Sequence, residues 1–167
     1  MTRPQATQAP GPISLEIVHD SGDWPDVSRL LQDAAAAAWR IVGDGESASI
    51  SLALMDSAAI RRLNAEFRGK DAPTDVLSFP ADESMMPGED DMLGDIAIAA
   101  DYVRREAGLE NKTFEAHLVH LFIHGLLHLL GHDHEETEQA QVMEDTERVI
   151  LAQLGIADPY AGRTLEN

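Results

Sequence analysis

The segment from Thr113 to Leu130 is the longest apolar helical pattern in the chain, and the rest of the fold has to be built around it. Leu121, Phe122, Ile123, Leu126, Leu127, Leu129 and Leu130 spread around its circumference rather than along one stripe. A helix with so little polar surface must be covered on several sides, so it is expected as a central helix. Gly131 closes it, because glycine accepts the left-handed conformation that ends many helices.

The flanking sequence supplies elements to cover it. Ile13 to Val18 alternates apolar and polar residues with period two and reads as a strand. An Ala-rich run from Asp26 to Val42 reads as a helix, and Ser47 to Met55 as a second strand. Asp56 is placed to cap a helix over Ser57 to Phe67, stopped by Gly69. A polar loop, residues 68–75, leads into a short strand from Val76 to Phe79 that Pro80 ends. After an acidic loop from Ala81 to Met92 come a strand over Gly94 to Ala99 and a helix over Ala100 to Ala107. A last helix, Glu136 to Leu154, carries Val142, Val149, Ile150 and Leu154 on what reads as its inner face. Strands and helices mix without strict alternation. The expected fold is a single α+β domain, a small mixed four-stranded sheet against about five helices. Residues 1–12, rich in Pro, Gln and Ala, read as a disordered tail. The domain is expected over residues 13–158, with 159–167 as a C-terminal tail.

Composition removes several kinds of function. With no cysteine, neither a disulfide, a thiolate zinc site nor a cysteine nucleophile is available, so any transition-metal site must use histidine, carboxylate and water. Neither a signal-peptide core nor an apolar run of membrane-spanning length is present, which makes a soluble cytoplasmic protein the expectation. The net charge of −18 argues against nonspecific affinity for nucleic acid, which depends on Lys and Arg displacing counterions. Neither DNA nor a membrane is expected as a partner.

Six of the seven histidines fall between His117 and His134, a cluster rather than a scatter. His124 and His128 are four apart and share a helix face, with Cβ atoms roughly 5–6 Å apart. Gly131 can then turn the chain so that His134 reaches the same ion from outside the helix. Three neutral imidazoles are a common zinc set that leaves a fourth position for water, as catalytic sites do. Imidazoles among leucines also need partners, and a metal is one. His120, His124 and His128 form a rival set, less suited because three successive turns do not surround an ion. His132 and Asp133 are either orienting partners of a ligand or ordinary turn residues. His117 reads as structural or exposed, and His19 as a strand-end residue with no visible role. Residue 125 is glycine, so this is not the His-Glu-x-x-His helix of zinc peptidases, which uses that glutamate as base.

The run His124-Gly125-Leu126-Leu127-His128-Leu129-Leu130-Gly131-His132-Asp133-His134 resembles the metal signature of the YbeY-type endoribonucleases of bacterial ribosomal-RNA maturation. Leu63 through Pro80, with Arg68-Gly69-Lys70-Asp71-Ala72-Pro73-Thr74-Asp75 at its centre, is similar to the second hallmark of that family. Leu93-Gly94-Asp95-Ile96 and Met143-Glu144 fit its pattern as well, so the resemblance covers residues 63–155 in order. His132 stands where the family has tyrosine. The resemblance implies a zinc-dependent, single-strand-specific endoribonuclease acting in small-subunit (16S) rRNA 3′-end maturation and ribosome quality control. It implies His124, His128 and His134 as ligands of one Zn²⁺ and Arg68 as the functional arginine. Ribosomal RNA and the small ribosomal subunit are the implied partners.

Read from the residues alone, Arg68 is a helix C-terminal arginine favoured by the dipole before it is a phosphate-binding one. In the family's light its planar fork suits a phosphoryl group. Two other readings stay open, a hydrolase of another bond such as a peptide and a binding module of the ribosome organised by the metal. The acidity favours a substrate presented by a ribosomal particle or partner protein.

Overall fold

The computed structural model describes residues 12–81, 91–133 and 135–161. All but the last residue of the expected N-terminal tail, most of the acidic loop, His134 and residues 162–167 of the expected C-terminal tail lie outside them. The elements are β1 (Ile13–His19), α1 (Ser28–Val42), β2 (Ala48–Met55), α2 (Ser57–Arg68), β3 (Val76–Pro80), β4 (Met92–Ala99), α3 (Ala100–Leu109), α4 (Phe114–Leu129) and α5 (Thr137–Gln153). They form the expected α+β fold. The sheet runs β1-β2-β4-β3, with β1, β2 and β4 parallel and β3 antiparallel to β4.

The sheet is covered on both faces, and alternation along its inner strands divides the core accordingly. Ile50, Leu52, Leu54, Ile96 and Ile98 point into the larger cluster with α1, α4 and α5. Met55, Ala97 and Ala99 point the other way, against Ala59 and Ile60 of α2. Helix α4 is central as expected, packed against α1, α3, α5, β3 and β4. Leu118, Phe122, Ile123, Leu126 and Leu127 have no exposed surface. Among the described residues no helix is long and apolar enough to cross a membrane.

Gly125 sits where α4 crosses the sheet. A Cβ there would lie 3.0 Å from Ser78 Oγ and 3.2 Å from Ile96 Cγ2. A side chain at this position, such as the glutamate of a zinc-peptidase helix, would crowd Ser78 and Ile96, because helix and sheet pack closely here.

The expected face of α5 holds in part. Ile150 is wholly buried and Leu154 packs against the core, but Val142 and Val149 are 56% and 51% exposed. Met143, Glu147 and Leu151 are buried in their place. They share a face with Ile150 at helical spacing, and Glu147 finds polar partners on α4.

Candidate metal centre

Local capping signals place the elements that carry the site. Thr113 Oγ1 accepts the Ala116 N–H at 3.0 Å and starts α4. Asp56 does the same for α2 through the Ala59 N–H, at 2.9 Å. At its far end α2 stops at Gly69, φ 72°, leaving Arg68 as its last residue. Helix α4 ends in a left-handed turn at Gly131, φ 96°. There the Gly131 N–H bonds to the His128 carbonyl and the His132 N–H to the Leu127 carbonyl, both at 3.0 Å. These are the paired bonds of a Schellman turn. The turn brings the His132 carbonyl back over the helix end, where it accepts from His128 Nδ1 at 3.0 Å. His132 thus supports His128 through its backbone and not through its imidazole.

His124 and His128 meet as their spacing predicts. Their Nε2 atoms are 3.2 Å apart and their rings nearly perpendicular, at 81°. His124 Nδ1 lies 2.7 Å from Glu147 Oε2. Each Nδ1 therefore faces an acceptor and carries the proton of a neutral ring, which leaves a lone pair on each Nε2. Two lone pairs directed at one another at this distance repel unless a cation or proton lies between them. A tetrahedral zinc ion, with bonds of about 2.0–2.1 Å, holds neighbouring nitrogens about 3.3 Å apart. The pair fits two corners of such a site. Among the described residues no three His, Asp or Glu side chains converge on one point, and His134, the third expected ligand, lies outside them.

The rival set is not assembled. His120 Nε2 turns away to Glu147 Oε1, 3.0 Å distant. His117 Nε2 lies 2.8 Å from Glu106 Oε1. Both of these histidines bury Nδ1 without a hydrogen-bond partner. Burial pushes the His117 pKa down. Burial, together with the nearby Asp75 carboxylate, raises Glu106 to about 7, so this pair avoids full charge separation near neutrality. Glu147 goes the other way. Burial alone would raise it, but hydrogen bonds from His120, His124 and Tyr160 outweigh that and hold it at about 2.

Arg68 stands beside the imidazole pair. Its guanidinium lies 4.9 Å from the centre of the Phe79 ring and donates to the Ser78 carbonyl. The Ser78 hydroxyl donates to the Gly125 carbonyl at 2.9 Å, tying β3, which holds the arginine, to the histidine helix. Arg68, Ser78, His124, His128 and Asp133 all line one open cavity of about 590 Å³. A second cavity of about 860 Å³ adjoins it across His124 and Asp75, bordered by Glu106, His117, His120 and Tyr160.

Sequence reasoning missed Glu147, Ser78 and Tyr160. Glu147 left one signal, a lone carboxylate at core spacing from Met143, Ile150 and Leu151. Tyr160 left none, lying in a segment read as a tail.

A mixed-sheet α+β domain with facing imidazoles and an arginine on one cleft has the make-up of a hydrolase. The model of the family described as Endoribonuclease YbeY matches residues 17–155. The chain is 53% identical over 153 residues to "Endoribonuclease YbeY" of a Chelativorans species, covering 89% of this chain and 94% of that one. It is 55% identical over 139 residues to the Rhodopseudomonas palustris protein of the same name, covering 82% and 72%. A Thermotoga maritima protein of known solution structure superposes with a TM-score of 0.56 at 29% identity, over 84% of this chain and 91% of that one. The chain belongs to the endoribonuclease YbeY family.

Proposed function

We propose that this chain is a metal-dependent, single-strand-specific endoribonuclease that matures the 3′ end of small-subunit (16S) rRNA and serves ribosome quality control in the cytoplasm. Family membership supports RNA phosphodiester hydrolysis. The observation that carries the metal reading is the pair of facing Nε2 atoms, 3.2 Å apart, on the cavity that Arg68 also lines. The activity is assigned to residues 13–158, with Tyr160 of the following segment bonded to them.

His124 and His128, with His134, are the residues that would hold one Zn²⁺. When bound, such an ion supplies a polarised phosphoryl oxygen or a water of lowered pKa. Arg68 takes the phosphoryl oxygens. Its planar fork donates two parallel hydrogen bonds and stabilises charge growing on the transferring group. Phe79 and the Ser78 carbonyl hold that fork at the cleft, which lowers the entropy lost on binding. Glu147 is not the general base, since it is fully buried and three donors occupy its oxygens.

The net charge of −18 works against tight binding of free RNA, so the small ribosomal subunit or a partner protein presents the substrate. Gly125 disfavours the peptide-hydrolase reading, because the glutamate that serves as the usual base is absent there and the position is closely packed. Metal-loaded protein incubated with single-stranded RNA and with casein, each beside a His124→Ala control, tests the proposal. RNA cleavage lost in the control is expected. Casein cleavage would support the peptidase, and activity on neither the scaffold.

A further inference from the structure

His124 is useful to an ion in one tautomer only, with its proton on Nδ1 and its lone pair on Nε2. What enforces that tautomer is Glu147, whose Oε2 lies 2.7 Å from Nδ1. The same carboxylate takes His120 Nε2 on Oε1, at 3.0 Å, and accepts the Tyr160 hydroxyl there as well. Three donors therefore converge on one carboxylate with no exposed surface, which is how a buried charge becomes tolerable. Tyr160 reaches it from outside α5. Asp158 fixes that segment, accepting the Tyr160 N–H at 2.8 Å and Arg148 Nε at 3.1 Å. The Arg148 guanidinium lies 5.2 Å from the centre of the Tyr160 ring. Arg148, Asp158 and Tyr160 make a latch that ends on Glu147.

We infer that Glu147 is the positioning residue of the metal centre, and that the C-terminal latch acting through Tyr160 keeps it aligned with His124. The inference rests on the metal reading above. Glu147 acts in two ways. It fixes the tautomer and rotation of the His124 ring and so raises the donor strength of Nε2. It also places a negative charge behind neutral ligands that would surround a divalent cation. Neither way needs contact with substrate, and Glu147 lines neither cavity. In Glu147→Gln the volume stays, but an amide N–H₂ faces one of three donors and the convergence breaks.

The test uses ¹⁵N-histidine-labelled full-length protein, first metal-free and then titrated with zinc against a chromophoric chelator. Wild type is expected to show the Nδ1–H tautomer at His124 before any metal is added. Glu147→Gln should lose that tautomer preference and weaken zinc binding about 10- to 100-fold. Tyr160→Phe and Asp158→Asn should weaken it less, by about three- to tenfold, in proportion to their distance from the ring. Wild-type tautomer and zinc affinity in Glu147→Gln would overturn the inference. If that variant does not fold, unchanged affinity in both Tyr160→Phe and Asp158→Asn overturns it. Wild-type protein that takes up no zinc would overturn the metal reading instead, a separate result.

Discussion

The two ends of α4 carry the same side chain in different chemical states. His124 and His128 sit near the C-terminal end, with Nδ1 held by an acceptor and the two Nε2 atoms facing each other. His117 and His120, two turns and one turn before His124, commit Nε2 to Glu106 and Glu147 and bury Nδ1 without a partner. Residue type and helical phase are shared. The difference lies in which ring nitrogen meets a carboxylate or carbonyl, and that is set by α3, α5 and the Gly131 turn. An acceptor on Nδ1 releases Nε2 for a ligand; an acceptor on Nε2 makes the histidine structural.

The sharpest way to break this contrast is to remove one imidazole from each end. His128→Ala should abolish stoichiometric zinc binding, whereas His117→Ala should leave it intact. Elemental analysis of both proteins, purified without chelator or affinity nickel, decides the matter. Equal loss in the two variants would erase the distinction between the ends. Arg68→Ala comes next. It should lower RNA cleavage by about 10²- to 10³-fold, the usual cost of one preorganised donor, with zinc content unchanged. Single-turnover cleavage beside metal analysis separates the two quantities, and unchanged cleavage would remove Arg68 from the chemistry. Phe122 lies midway along α4, between the two ends, and is wholly buried. Phe122→Ala should cost about 3–5 kcal/mol of stability, read by urea unfolding of metal-free protein. A loss below about 1 kcal/mol would mean that α4 is not the centre of the core.

Much of this arrangement was legible in the sequence, and the reasons are local. The Asp56 cap, the Gly69 and Gly131 stops and the His124–His128 pairing each depend on residues within a turn or two of one another. The apolar girth of α4 also announced a central helix, because no other placement covers it. What was hidden is long-range. Val142 and Val149 carry the right spacing for a core face, but α5 buries Met143, Ile150 and Leu151, with Glu147 among them reaching His120 and His124. His132 drew attention as an imidazole yet acts through its carbonyl, which every residue type has. Only the family resemblance singles out Arg68 from the other arginines. Its local signal was that of a helix C-terminal cation, and the Ser78–Gly125 bond that fixes it beside the histidines spans 47 residues of sequence.

The smallest expected effect sharpens the comparison at the structural end of α4. Glu106 is raised from its ordinary value to about 7, first by burial and then by Asp75, whereas the unfolded chain returns it to the ordinary glutamate range. Between those two values the folded state binds more protons than the unfolded state, so this group makes stability fall as pH rises. The loss begins above the unfolded pKa near 4.5 and is complete once pH passes about 7. Glu106→Gln removes the ionisation but keeps a hydrogen-bonding group near His117. The variant should therefore show a flatter thermal-melting profile than wild type from pH 5 to 7.5, and relatively greater stability at the upper end. Zinc affinity should not change, since His117 and Glu106 lie at the end of the helix that carries none of the proposed ligands. A parallel pair of melting profiles would show that burial and the Asp75 carboxylate do not raise Glu106. A change in zinc affinity would show that the two ends of α4 are coupled, and that the division of labour along the helix is less complete than the hydrogen bonds indicate.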